Sequence, residues 1–202
     1  MMIEQSHATY PRTVHCKDGS EILLRPMQAG DLEAVKAFFG TLPRADRLFL
    51  RYDVTDPTVF ERWLGQFEDK QQLRLLAFCE GQLVGHGKLE PERHNWSPHV
   101  AEVRVVVAEV FKRRSLGTLL VRELVDQASV HNYDKLSTHV MDTQVAARKM
   151  CERAGFHVEA ELKNHVKDLD GRKHNLLIMC CNLDEAWHKM ELLLADFAPW
   201  AG

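Results

Sequence analysis

Lys112, Arg113 and Arg114 are consecutive cations, and Ser115, Leu116, Gly117 and Thr118 follow them directly. This short run sits at a change of period. Before it, Val103, Val105 and Val107 alternate with Arg104 and Val106, the pattern of a strand. After it, Leu116, Leu120, Leu124, Val125 and Ala128 fall on one face of a helix, and Arg122, Glu123, Asp126 and Gln127 on the other. A strand that turns into a helix leaves the first-turn N–H groups without intrahelical partners. The helix dipole adds partial positive charge at the same place. With three basic side chains alongside, the join describes an anion site, and phosphate is the obvious guest. Gly117 admits close approach of backbone or ligand. A solvated βα-loop is the other reading of the same residues.

The elements that position this loop come from a chain of 202 residues, read as one domain with extensions. The net charge of −3 argues against a general nucleic-acid binder, although Lys112 to Arg114 are basic. No run of about 18 apolar residues is present, so no membrane span is expected. Met1 to Arg12 has no apolar stretch of the signal-peptide kind and reads as a flexible N-terminus. Five scattered cysteines without CxxC spacing suit a reduced, cytoplasmic chain. Cys180 and Cys181 are adjacent and would point to opposite faces of a strand. The histidines form no HxxxH or HxH pair, so no metal is expected.

In chain order, Thr13 to Met27 reads as a hairpin turning at Asp18-Gly19. Asp31 caps a helix to about Leu42, where Pro43 stops it. Arg44 to Pro57 is irregular, and a second helix follows from Pro57 to about Phe67. Leu73–Cys79 and Leu83–Leu89 are strands, and Glu90 to Pro98 is a polar loop. In that loop Trp96 either rims the core or walls an acceptor pocket. Lys135–Met141 is a strand, and Val145–Ala154 is a helix with Gly155 as its C-terminal cap. Phe156–Lys163 and Leu176–Cys181 are strands joined through Asp170-Gly171. A final helix runs from Asn182 to about Phe197; its apolar face covers the domain's own sheet or docks on a second subunit, as in a homodimer. The summed pattern predicts an α/β (α+β) fold: a mixed, mostly antiparallel twisted sheet flanked by helices, with a C-terminal helical extension.

This order of elements, with its central loop, resembles the GNAT superfamily of N-acetyltransferases. That family carries (Gln/Arg)-x-x-Gly-x-(Gly/Ala), here Lys112 to Gly117, with Ser115 at the first glycine and Gly117 at the second. Its later signature, Asn-x-x-Ala-x-x-x-Tyr-x-x-x-Gly-Phe, falls on Gln144 to Phe156. Ala147, Gly155 and Phe156 match, Gln144 replaces Asn, and Cys151 replaces Tyr. Asp18-Gly19, Leu24-Arg25-Pro26, Asp31-Leu32 and the Arg44 to Asp53 segment are similar to the subgroup that includes bacterial protein-lysine acetyltransferases. The resemblance covers Thr13 to Leu183, leaving 1–12 as a flexible N-terminus and 184–202 as a helix and tail.

The resemblance implies acetyl transfer from acetyl-CoA, as co-substrate, to a primary amine, with a protein lysine as first acceptor and a small amine or amino acid as second. It implies that Val105, Val106 and Val107 meet pantetheine and supply oxyanion donors. Lys112, Arg113, Arg114, Ser115, Leu116, Gly117 and Thr118 would then hold the pyrophosphate, and Gln144 would stand at the Asn position. An ammonium cannot attack a thioester, so a base must first remove a proton. The resemblance assigns that task to Glu102, with Glu109 a weaker choice. Cys151 stands where the family tyrosine protonates the CoA thiolate. The Ser115 hydroxyl caps the helix or bonds a phosphate oxygen. A CoA-binding regulatory module with little turnover is the alternative, suggested by Ser115 and Cys151.

Overall fold

The computed structural model describes residues 10–50, 58–59, 72–92 and 94–183. The first hairpin joins β1 (Arg12–His15) to β2 (Glu21–Pro26), and Gly19 takes φ +87° at its turn. A 3₁₀ turn at Ala29–Asp31 leads into α1 (Leu32–Thr41). The Asp31 carboxylate accepts the Gln28 N–H at 2.7 Å and both terminal nitrogens of Arg25 at 2.6 Å. The expected irregular stretch after Pro43 opens with a short helix, α2 (Arg44–Arg47). The helix expected from Pro57 to Phe67 lies outside the described residues, apart from Thr58 and Val59.

The chain continues through β3 (Leu73–Cys79), β4 (Gln82–Pro91), β5 (Val100–Val107), α3 (Leu116–Val130), β6 (Lys135–Met141), α4 (Val145–Arg153), β7 (His157–Lys167) and β8 (Lys173–Asn182). The last hairpin is longer than the apolar pattern indicated, because its distal part is polar and turns at Gly171, φ +79°. Asn182 ends β8 in register with Lys135, so the expected final helix starts no earlier than Leu183, which is helical. The rest of that helix, 184–202, lies outside the described residues, as do 1–9.

Eight strands form one sheet in the order β1-β2-β3-β4-β5-β6-β8-β7. Every neighbouring pair is antiparallel except β5 and β6. α3 crosses between those two strands and packs on one face, against Leu75, Ala77, Leu89, Ala101 and Val103. Leu116, Leu120 and Leu124 of α3 are fully buried, each contributing about 1.5–3 kcal/mol. The helix lies close because β4 has glycines beneath it. A Cβ on Gly85 would sit 2.9 Å from Leu120 Cδ1, and one on Gly87 3.1 Å from Leu124 Cδ1. α1 covers the other face with Val35, Phe38 and Phe39 against Leu76.

One face of α3 departs from the expected pattern. Glu123 and Gln127 are buried. Tyr10 donates its hydroxyl to Glu123 at 3.0 Å, and Arg12 pairs with the same carboxylate. Tyr10 and the first residue of β1 therefore cover Glu123, a position that helical periodicity assigned to solvent. No described helix is long and apolar enough to cross a membrane.

Candidate active site

β5 and β6 pair only at Val100–Lys135, Ala101–Leu136 and Glu102–Ser137. Beyond that point β5 continues to Val107 against β4 alone, and β6 continues to Met141 against β8 alone. The parallel pair therefore splays into a slot whose apex is Glu102 and Ser137.

The ladder decides which amides face the slot. The Glu92 N–H donates to Val100 O at 2.9 Å, and the Ala108 N–H donates to Val84 O at 2.8 Å. Antiparallel bonding alternates, so the even residues of β5 bond β4 and the odd residues face away from it. The amides of Val105 and Val107 are thus aimed at the slot. The Val106 amide is not: it bonds toward His86 of β4. The expectation of three slot-facing amides reduces to two.

At the wide end of the slot the chain enters α3. Ser115 is its N-cap residue and has φ +73°, and Arg113 has φ +63°. A side chain in this left-handed region costs about 1–2 kcal/mol, which is why glycine suits the position. The Ser115 hydroxyl does not cap the helix. It accepts the Lys17 N–H at 3.0 Å and donates to the Arg114 carbonyl. The first intrahelical bond runs from Leu119 N–H to Ser115 O. The amides of Leu116, Gly117 and Thr118 lie ahead of it, as at any helix start. Leu116 itself is a core side chain. Gly117 permits contact with α4, since a Cβ there would lie 2.6 Å from Met150 Sδ.

The three cations are not equivalent. Lys112 is held by Asp46 of α2 at 2.7 Å and by Glu109 at 2.6 Å. Arg114 pairs with Asp18 of the first hairpin at 3.0 Å and lies over the Phe111 ring. Arg113 is exposed and makes no ion pair among the described residues. Much of the expected positive field is therefore balanced by Asp18, Asp46 and Glu109, and two of these belong to distant segments.

Glu102 is buried at the apex, on the sheet face opposite α3. Arg104 donates to its Oε1, and Nδ1 of His139 on β6 lies 3.6 Å from the same oxygen. His139 carried no spacing signal in the sequence; only the register of β6 brings it here. Lys88 of β4 lies opposite Arg104 and donates to Glu90, which lies opposite Glu102. Burial, reinforced by Arg74, pulls Lys88 down to about 8. Glu109 faces Lys112 rather than the slot apex.

Cys151 is buried in the apolar core with Phe156 and Leu116. Burial pushes its thiol up to about 11, with the neighbouring Glu152 adding to the shift. Such a thiol is a poorer donor to a thiolate of ordinary pKa, about 8.5, than an unperturbed one. Gln144 is the N-cap residue of α4, and its side-chain oxygen accepts the Met141 N–H at 2.9 Å. That oxygen closes the β6–α4 turn and does not extend into the slot. Tyr133 is buried in the core. Trp96 does not rim the core. It is 81% exposed, stacks on His94, and lies in the loop that enters β5.

The slot suits an extended chain that pairs with β5 amides and ends in an anion at α3. The sequence matches the Acetyltransferase (GNAT) family over residues 39–156. The L-amino acid N-acetyltransferase AaaT of Escherichia coli is 23% identical over 148 residues, covering 72% of this chain and 89% of that protein. Two crystal structures share the fold. The GNAT-family acetyltransferase of Streptococcus pneumoniae superposes with a TM-score of 0.71 at 20% identity, covering 80% of this chain and 98% of that one. The ribosomal-protein-alanine N-acetyltransferase of Brucella melitensis superposes with a TM-score of 0.70 at 24% identity, covering 79% and 99%. The chain belongs to the GNAT acetyltransferase family, and it is an acetyl-CoA-dependent N-acetyltransferase that acts on an amine.

Proposed function

We propose that acetyl-CoA lies in the splay between β5 and β6 and that its acetyl group passes directly to a primary amine in a ternary complex. Acetyl-CoA supplies the activated acyl group. The Val105 and Val107 amides bind its pantetheine arm and stabilise negative charge on the carbonyl oxygen. The first-turn amides of α3, with Arg113, hold the pyrophosphate. Glu102 takes the proton released by the attacking amine, through His139 where that ring stands between carboxylate and amine. As the C–N bond forms, the C–S bond breaks. The thiolate takes its proton from water, since Cys151 is buried and its thiol is held high.

The observation that carries this reading is the carboxylate at the apex of the slot, beside two amides on its open edge. Replacing Glu102 by Gln tests it. Turnover should fall about 10²- to 10⁴-fold, while calorimetry shows CoA binding within a few-fold of the parent. Turnover at the parental rate removes Glu102 from the chemistry.

A protein lysine is one acceptor, supported by the resemblance of the opening segment to protein-lysine acetyltransferases. A free amino acid is the other, supported by the AaaT relative. Acetylation of a lysine peptide compared with free amino acids separates them. All five cysteines are free thiols, which supports the cytoplasm as the place of action.

A further inference from the structure

Glu102 Oε1 is approached from two sides. Nη2 of Arg104 donates to it from the same strand, and Nδ1 of His139 lies 3.6 Å away on the facing strand. The three side chains differ in exposure: 7% for Glu102, 26% for Arg104 and 40% for His139. The carboxylate is a buried anchor, and solvent reaches a guanidinium on one side of it and an imidazole on the other. The Arg104 Nε is buried and closed to a ligand, so a ligand can meet this side chain only at its terminal nitrogens, of which Nη2 already holds Glu102. A guanidinium carries five N–H donors in a planar fork, so Arg104 can hold Glu102 and still accept a second carboxylate. The row behind it continues with Lys88 opposite Arg104 and Arg74 opposite Lys88, and Lys88 is paired with Glu90.

Because Arg104 and His139 converge on one oxygen atom, a ligand that touches both must be short. It must also present an anion to one and an amine to the other. We propose that Arg104 receives the carboxylate of a free α-amino acid whose amine lies at His139. This rests on the reading of the slot as the site of acetyl transfer. An α-amino acid carries the two groups on a single carbon. A lysine side chain brings its amine on a long aliphatic stem with no anion beside it, and a polyamine would set a second cation against Arg104.

The test measures thiol release from acetyl-CoA by the purified full chain. Each of several L-amino acids is compared with its carboxamide and its decarboxylated amine, and a lysine peptide is included. For the parent, kcat/KM with the amino acid should exceed that with either analogue by at least about tenfold, the effect of one charge-assisted hydrogen bond or more. Arg104→Gln should bring the ratio toward one, and Arg104→Lys should keep part of it. Calorimetry should show the amino acid binding the CoA-loaded parent and not the Gln variant. CoA affinity and circular dichroism confirm that the variants are folded. A ratio near one in the parent, an unchanged ratio in Arg104→Gln, or preference for the peptide overturns the proposal while acetyl transfer in the slot stands. If no amine is turned over, the reading of the slot fails, and calorimetry alone decides whether Arg104 binds the carboxylate.

Discussion

Nδ1 of His139 on β6 lies 3.6 Å from Oε1 of Glu102 on β5, across the point where the two parallel strands part. If both residues serve one proton path, their losses will not add. His139→Gln should lower kcat/KM by about tenfold to a thousandfold, and the double variant with Glu102→Gln should be no worse than the poorer single. Steady-state kinetics of the four proteins checks this. Multiplying losses would mean that the residues act separately.

Ser115 is held at φ +73° by its place before α3. Ser115→Gly relieves that strain and gives up one exposed bond to Lys17. It should unfold at the parental temperature or above and bind CoA at least as tightly. Ser115→Val adds β-branching to the strain the serine already carries and gives up the bond from the Lys17 N–H, so it should lose about 0.5–1.5 kcal/mol of stability. Thermal unfolding with and without CoA tests both.

Gly117 and Met150 are coupled by close approach of α3 and α4, with 2.6 Å between a would-be Cβ and Met150 Sδ. Gly117→Ala forces Met150 to swing aside, and the better helix propensity of Ala offsets part of that, so the net loss should be about 1 kcal/mol or less. Met150→Ala in the same chain should recover part of that loss. Denaturant unfolding of the double-mutant cycle measures the coupling.

Asp31 makes the fold less stable in acid. The Arg25 guanidinium first, and then the Gln28 N–H, hold its carboxyl below the usual range, against the opposing effect of burial. The folded state therefore binds its proton less readily than the unfolded chain does. The stabilisation is full above the unfolded pKa, about 3.9, and is lost as pH falls through the depressed folded value. Asp31→Asn should lose about 1–3 kcal/mol at pH 7 and show a weaker decline below pH 4. Urea unfolding at several pH values follows it.

Cys151 should behave as a core residue. Its thiol, pushed up to about 11 and buried, should resist alkylation at pH 8 in the native protein and react after unfolding. Cys151→Ala should keep turnover within a few-fold while losing about 1–2 kcal/mol of stability. A hundredfold loss of turnover in a folded variant would restore the thiol to the proton path.

Local pattern was enough for the strands other than the polar ends of β7 and β8, for α3 and α4, and for the basic turn between Val107 and Leu116, because each depends on neighbours within a few residues. Period two and period 3.6 are local properties, and so is the glycine at each tight turn. That Cys180 and Cys181 face opposite ways also follows from alternation, and in the fold Cys181 packs in the α3 core while Cys180 meets Glu159. The sequence by itself therefore determined the family, the mixed sheet, the position of the loop and the unusual residues at Ser115 and Cys151.

The tertiary structure decided what those residues meet. Lys112 is tied to Asp46, 66 positions away, and Ser115 bonds Lys17, 98 positions away. Glu123 is buried because Tyr10 and Arg12 come to it from the start of the described chain. His139 joins Glu102 through the register of two parallel strands, and Val106 is withdrawn from the slot by the bonding of β5 to β4. Charge balance, burial and strand register are set by chain segments far apart in sequence, so no single window of residues contains them.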